Sequence, residues 1–263
     1  MKQRKVKFSL GMKIASILAC LALVSVGFAS WWIVQFPEEK TIEDGQFVVY
    51  AVEEKNITFE DVHFVDNAEI VYGYTTPTTA PAYKWLGADK YDANSNPNGV
   101  KPEKLSATLQ FKVVIDDEEA NLDDYLTQIN VDFDAGTAYE AAMVANNEYG
   151  GVVAVGAPIV SYRYTKAAAF NNEEFASAGT YTAADNLSFN FAPPTDAGDE
   201  LLVEVKFTFS WGRTTNGQNP YEFFNQNQYT TDSALLANNF LNAVKKLNDG
   251  QAYIVKISTN PGR

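Results

Sequence analysis

Two stretches of this chain alternate strictly between apolar and polar residues, and that alternation leaves few folds open. In Leu105–Ile115, the residues Leu105, Ala107, Leu109, Phe111, Val113 and Ile115 fall on one face, and Ser106, Thr108, Gln110 and Lys112 on the other. In Leu201–Trp211, the apolar face is Leu201, Val203, Val205, Phe207, Phe209 and Trp211, and the polar face is Glu204, Lys206, Thr208 and Ser210. A period of two puts successive side chains on opposite sides of a strand, so each stretch has one dry and one wet face.

Shorter versions recur at Ile129/Val131/Phe133, Leu187/Phe189/Phe191 and Tyr253/Val255/Ile257. Further strands are expected at Gln46–Val52, Asn56–Phe64, Ile70–Tyr74, Val152–Val155 and Ile159–Tyr164. Sheets with one dry face are antiparallel and pack dry face to dry face. The expected fold is therefore all-β: an antiparallel β-sandwich of jelly-roll type.

Helix is scarce. The strongest case is Asp232–Asn248, where Leu236, Phe240, Val244 and Leu247 form an apolar stripe. Thr231 or Asp232 can cap its start, Lys245 and Lys246 suit its negative end, and Gly250 can terminate it. Shorter helices are expected around Leu122–Leu126 and Tyr139–Asn146, and irregular loops at Thr75–Gly99 and Lys166–Ala184.

The segment Ile14–Phe36 carries no charge, and five cations (Lys2, Arg4, Lys5, Lys7 and Lys13) precede it without an acid. About 20 helical residues cross a bilayer, so this run is long enough. Lys and Arg mark the cytoplasmic side, which exports everything after Phe36. Two readings stand side by side. Gly27-Phe28-Ala29 before Ser30 suits signal cleavage, whereas Trp31, Trp32, Ile33 and Val34 continue the apolar run and suit a retained anchor. The expected organisation is a basic leader (1–13), a transmembrane or signal helix (14–36), and one extracytoplasmic β-sandwich domain (37–263).

All 33 acids and 15 of the 20 cations lie after Phe36, leaving 18 more acids than cations there. That surplus excludes recognition of nucleic acid through a basic surface. The only cysteine, Cys20, lies inside the apolar segment, so no disulfide can staple the exported part.

The catalytic inventory is thin. His63 is the only histidine, and it falls in a strand pattern. One imidazole without a thiolate cannot build a His-rich zinc site, and no Gly-x-Ser-x-Gly elbow accompanies it. The acids Asp116, Asp117, Glu118, Glu119, Asp123 and Asp124 read as a solvated loop, with calcium binding a secondary role. A glycosidase would need two carboxylates at a set separation, a geometry outside sequence reasoning.

Asp92, Asn94, Asn96 and Glu103 fall at positions 1, 3, 5 and 12 of an EF-hand-like spacing, although Pro97 stands where that loop requires Gly. They are the candidate calcium ligands. Trp211-Gly212 and the aromatics of Asn219–Asn225 could stack on a surface glycan or pack under the Asp232–Asn248 helix, and burial favours packing. Asn56-Ile57-Thr58 and Asn186-Leu187-Ser188 match the N-glycosylation pattern inside expected strands.

Three stretches carry a resemblance. They are the apolar segment running into Gly45–Val52 and Asn56–Phe59, then Tyr125–Val131, then Leu201–Trp211. With a basic leader and an acidic all-β remainder, the chain resembles the TasA/camelysin-type exported proteins of Gram-positive bacteria. The resemblance implies a jelly-roll sandwich, and fibre assembly in which an N-terminal strand of one subunit completes the sheet of the next. The implied donor is the segment around Glu39–Val52. The metal-dependent proteolysis linked to camelysin does not carry over, because no zinc-protease motif is present.

The expected function is that of a bacterial surface or matrix protein acting through adhesion or self-assembly, with no catalytic activity. The alternative is a carbohydrate- or calcium-binding surface module. Partners on the first reading are the membrane, through residues 14–36, and further copies of the chain. The localisation expected is single-pass membrane, or secreted after cleavage.

Overall fold

Among the described residues, alternation along the chain is realised as ten strands in two five-stranded sheets. The computed structural model describes residues 38–54, 56–73, 102–116, 121–143, 151–182, 186–220 and 252–261, with single positions between 223 and 247. The strands are β1 (Glu38–Asp44), β2 (Phe47–Glu53), β3 (Ile57–Phe64), β4 (Ser106–Ile115), β5 (Leu126–Asp134), β6 (Val155–Thr165), β7 (Ala176–Thr180), β8 (Leu187–Phe191), β9 (Glu200–Trp211) and β10 (Tyr253–Pro261). One sheet has the order β1-β2-β10-β5-β8 and the other β3-β4-β9-β6-β7.

The two long alternating stretches sit side by side. β4 and β9 are antiparallel, with Leu109 opposite Val205 and Phe111 opposite Val203. Their dry faces meet those of β2, β5 and β10 across the sandwich. Rings bridge the sheets at Phe47–Phe207 (5.6 Å) and Phe133–Phe207 (4.8 Å). Phe133, Phe207, Val205 and Val255 are wholly inaccessible to solvent. This aromatic layer supplies the burial that stabilises a domain without disulfides.

One expectation is corrected. The sheets are rich in antiparallel pairs, but β10 runs parallel to β2, with Tyr253 beside Phe47 and Ile257 beside Ala51. A period of two fixes which face a residue takes and says nothing of strand direction. β10 enters from the far end of the chain, so no tight turn forces it antiparallel to β2. It remains antiparallel to β5.

The expected strands at Ile70–Tyr74 and Val152–Val155 also change. The first is reduced to a single bridge between Val71 and Lys104, and the second contributes only Val155, the start of β6. β7 lies inside the expected loop Lys166–Ala184. The short helices are α1 (Leu122–Tyr125) and α2 (Gly136–Met143). The described positions from 239 to 247 are helical, with Phe240, Ala243, Val244 and Leu247 buried, as the apolar stripe of Asp232–Asn248 requires.

Among the described residues the register shifts in four pairings, including β10 with β5 at Asn260/Pro261 and β6 with β7 at Val160/Ser161. In β3 the pairing with β4 shifts between Glu60 and His63, and Asp61 takes φ +49°. The extra residue moves the inward set from Ile57 and Phe59 to Phe64. In β6 the shift falls between Gly156 and Ile159, where Pro158 has no N–H to give the ladder and its carbonyl accepts from Tyr181 N–H at 2.8 Å. The β1–β2 turn depends on Gly45, at φ +58°, where an added Cβ would collide with the Ala68 carbonyl.

Candidate functional site

The edges of the sheets leave backbone donors and acceptors without a strand partner, and the four edges differ. At one side of the sandwich, β7 and β8 lie close together and are joined through residues 181–186. An added Cβ on Gly179 of β7 would sit 3.1 Å from Leu187 Cδ1 of β8. Between the sheets on this side, Tyr162 stacks on Phe189 (5.4 Å) and Phe191 (4.7 Å), and Tyr164 stacks on Phe191 (5.5 Å). The stack fills the space between the sheets on this side.

On the opposite side, β3 is blunted by its bulge. Asp61 there forms an ion pair with Lys112 at 3.2 Å, and the hydrogen bond that Lys112 donates to Asp61 is the main cause that raises the Lys112 ammonium above its ordinary range. His63 Nδ1 donates to the Asp61 carbonyl, so the single histidine braces this bulge. A bulged, charged edge rejects a straight incoming strand.

β1 is the remaining edge. Only Ile42 packs on the core, while Glu39, Lys40, Thr41 and Glu43 are exposed. Its neighbour β2 is built in. Phe47, Val49 and Ala51 are buried, and β2 is bonded to β10 on its other side. Of the expected donor segment Glu39–Val52, the second half is thus part of the domain's own core. The first half is held by hydrogen bonds to β2 and one apolar side chain.

The calcium candidates Asp92, Asn94 and Asn96 lie outside the described residues. Glu103 is described, and its Oε2 accepts from Trp211 Nε1 (2.6 Å) and from Asn219 Nδ2. Asn219 Nδ2 also donates to the Gly73 carbonyl at 3.0 Å. Glu103 is thus tied to the end of β9 through Trp211, and Asn219 links it to Gly73. Among the described residues, no group of three or more His, Cys, Asp or Glu is placed to hold a metal.

Of the acidic run, Asp117, Glu118 and Glu119 lie outside the described residues. Asp116 and Asp124 are exposed, while Asp123 accepts the N–H groups of Asp196 (3.1 Å) and Ala197 (3.3 Å), which fixes a turn. Trp211 is packed against Tyr72 (4.9 Å) and Phe240 (5.6 Å), and Phe223 packs on the same core. These aromatics follow the packing reading. Residues 221, 222, 224 and 225 lie outside the described residues.

The sequence missed the covered part of the wet face. Glu204, expected to face water, is 5 % exposed. Residues 166–175, which connect β6 to β7, fold back over the outer surface of β6 and β9. Arg163 reaches Glu204 Oε2 through Nη2 (2.6 Å) and Nε (2.7 Å), and donates Nη1–H to the Glu173 carbonyl (3.0 Å). Phe170 and Phe175 lie over the guanidinium at 4.3 and 4.5 Å. The Glu173 carboxyl is held below its ordinary range, first by a hydrogen bond from Thr165.

Tyr72, Tyr139 and Tyr253 are buried in the core, and burial is the first cause that raises each phenol above its usual range. The sign of the linkage follows. Their contribution is intact below the unfolded phenol value of about 10 and is lost as pH climbs from there toward the folded values. Spectrophotometric titration should show these three silent while exposed tyrosines ionise. They should then appear in one step with loss of the near-ultraviolet circular dichroism signal. Gradual titration without unfolding would contradict their burial.

Among the described residues, no helix is long and apolar enough to cross a membrane, and residues 14–36 lie outside them. Comparison of the chain with models of protein families, with curated proteins and with solved structures gave no match.

Proposed function

We propose that this protein is an extracytoplasmic bacterial surface or matrix protein that acts by self-assembly through exchange of β1. The observation that carries the reading is the contrast between edges. β3 is bulged, β7 and β8 close on one another, and β1 is an edge strand paired with β2 that packs one side chain, Ile42, on the core. When β1 leaves, β2 exposes a row of backbone donors and acceptors that a β1 from another copy can fill without new chemistry. The charges on β1 discourage indiscriminate pairing, so the replacement that fits is the same strand.

The sandwich is read as a jelly roll. In support, the chain crosses between sheets at each step from β4 through β5, β6–β7, β8, β9 and β10. Residues 14–36 would hold the protein to the membrane or direct its release.

The calcium or glycan module has weaker support. Glu103 already serves Trp211 and Asn219, and Trp211 is 4 % exposed.

The test is electron microscopy and size-exclusion chromatography of the purified protein, intact and lacking residues 38–44. Intact protein should form linear assemblies, the deletion should not, and a synthetic Glu38–Asp44 peptide should arrest growth. A chain that stays monomeric in both forms removes the assembly reading.

A further inference from the structure

We propose that the outer face of the β1-β2-β10-β5-β8 sheet docks a cationic amphipathic helix, a polypeptide whose apolar stripe is bordered on both sides by Lys or Arg. The centre of this face is an apolar column. Register places Ile254 beside Val48, Lys256 beside Tyr50 and Ser258 beside Val52, all on the side opposite the core residues Phe47, Val49, Val255 and Ile257. Ile254 is 38 % exposed and lies beside the half-buried Val48, Tyr50 and Val52 of β2, so the apolar surface here is contiguous and not a single side chain.

Acids border this column on both sides. Ile42 packs inward, so alternation turns Glu39 and Glu43 of β1 outward. On β5, Asp134 pairs with Ile254 and Asp132 with Lys256, and both turn away from the buried Val131 and Phe133. Among the described residues, Lys256 is the one cation between the columns, and its stem extends the apolar surface beside Tyr50.

The spacing fits a helix. β1 and β5 are three strand intervals apart, about 14 Å at the usual inter-strand distance. An α-helix with its side chains is about 10–12 Å wide. Its stripe would lie on the β2–β10 column while its flanking cations reach the two acidic columns. The chemistry also excludes a second copy of the same face, because acid would meet acid. The other broad face is partly closed by residues 166–175 through the Arg163 contacts. No described segment covers this one in the same way.

The inference does not rest on strand exchange and is tested separately from it. Fluorescence anisotropy of a labelled synthetic Leu/Lys amphipathic helix, titrated with the full chain, should show saturable binding. Ile254→Lys should weaken it about tenfold, and Glu43→Gln with Asp132→Asn by a similar factor, since desolvated anchors and their bordering charges carry such interfaces. Val48→Thr, nearly isosteric, should weaken it without loss of the circular dichroism spectrum, which guards against misfolding in the Lys variant. Glu200→Gln with Asp199→Asn, away from this face, should leave it unchanged. Equal loss in the face and control charge pairs, no effect of Ile254→Lys, equal binding of an all-polar Lys helix, or no binding would each overturn the proposal.

Discussion

Phe209→Ala is expected to lower the free energy of unfolding by about 4 kcal/mol, at the upper part of the range for truncating a buried aromatic. Phe209 is 2 % exposed, and its ring meets Tyr253 (5.1 Å), Tyr139 (5.7 Å), Tyr72 (6.4 Å) and Phe133 (6.4 Å). Those four rings come from β10, α2, the segment after β3, and β5. Truncation therefore removes contacts to the facing sheet, to α2 and to the segment after β3 at once. The cavity cannot close by a local shift, because Phe133 and Phe207 hold the sheets apart beside it. Domains of this kind have about 5–15 kcal/mol of net stability, so the variant should unfold at much lower urea. Phe209→Leu, which refills part of the space, should cost about 1–2 kcal/mol. Thr208→Ala, one residue away on the opposite face, should stay within about 0.5 kcal/mol. Equilibrium urea denaturation measures all three, and equal effects at positions 208 and 209 would refute the placement of this core.

The residues that carry this prediction were legible in the sequence, because Phe209 belongs to an unbroken alternation with Val203, Val205 and Phe207. β4, β8, β9 and β10 could be placed to within a residue or two for the same reason. The strands that escaped lack that pattern. β7 reads Ala-Ser-Ala-Gly-Thr and buries no large side chain. It forms because β6 offers it an edge. β1 is mostly charged and could be anticipated only as part of a longer donor segment. The β3 bulge was hidden because alternation counts residues and cannot see that Asp61 takes a left-handed conformation. The candidate sites were less legible still. Glu103 matched a calcium spacing, yet its described partners are Trp211 and Asn219, more than a hundred residues away in sequence. A spacing rule tests only near neighbours, and these contacts exist only once β9 has joined the sheet.

Arg163→Met is expected to cost about 2–3 kcal/mol, somewhat less than a fully buried pair because the Arg163 side chain keeps 24 % of its exposure. The loss has two sources. Glu204 would be left 5 % exposed without its two guanidinium bonds, and Phe170 and Phe175 would lose a cation held over their rings. Since Nη1 also holds the Glu173 carbonyl, residues 166–175 should loosen from the sheet and become the first site of limited proteolysis. The double variant Arg163→Met with Glu204→Met should recover most of the stability, because an apolar pair no longer demands solvation. It should still be cut in the connecting segment, because the bond to Glu173 stays lost. A double-mutant cycle by urea denaturation, run beside a protease time course, separates the two effects. If the double variant were as unstable as Arg163→Met, or if neither were cut between residues 166 and 175, the ion pair would not be what holds this segment to the sheet.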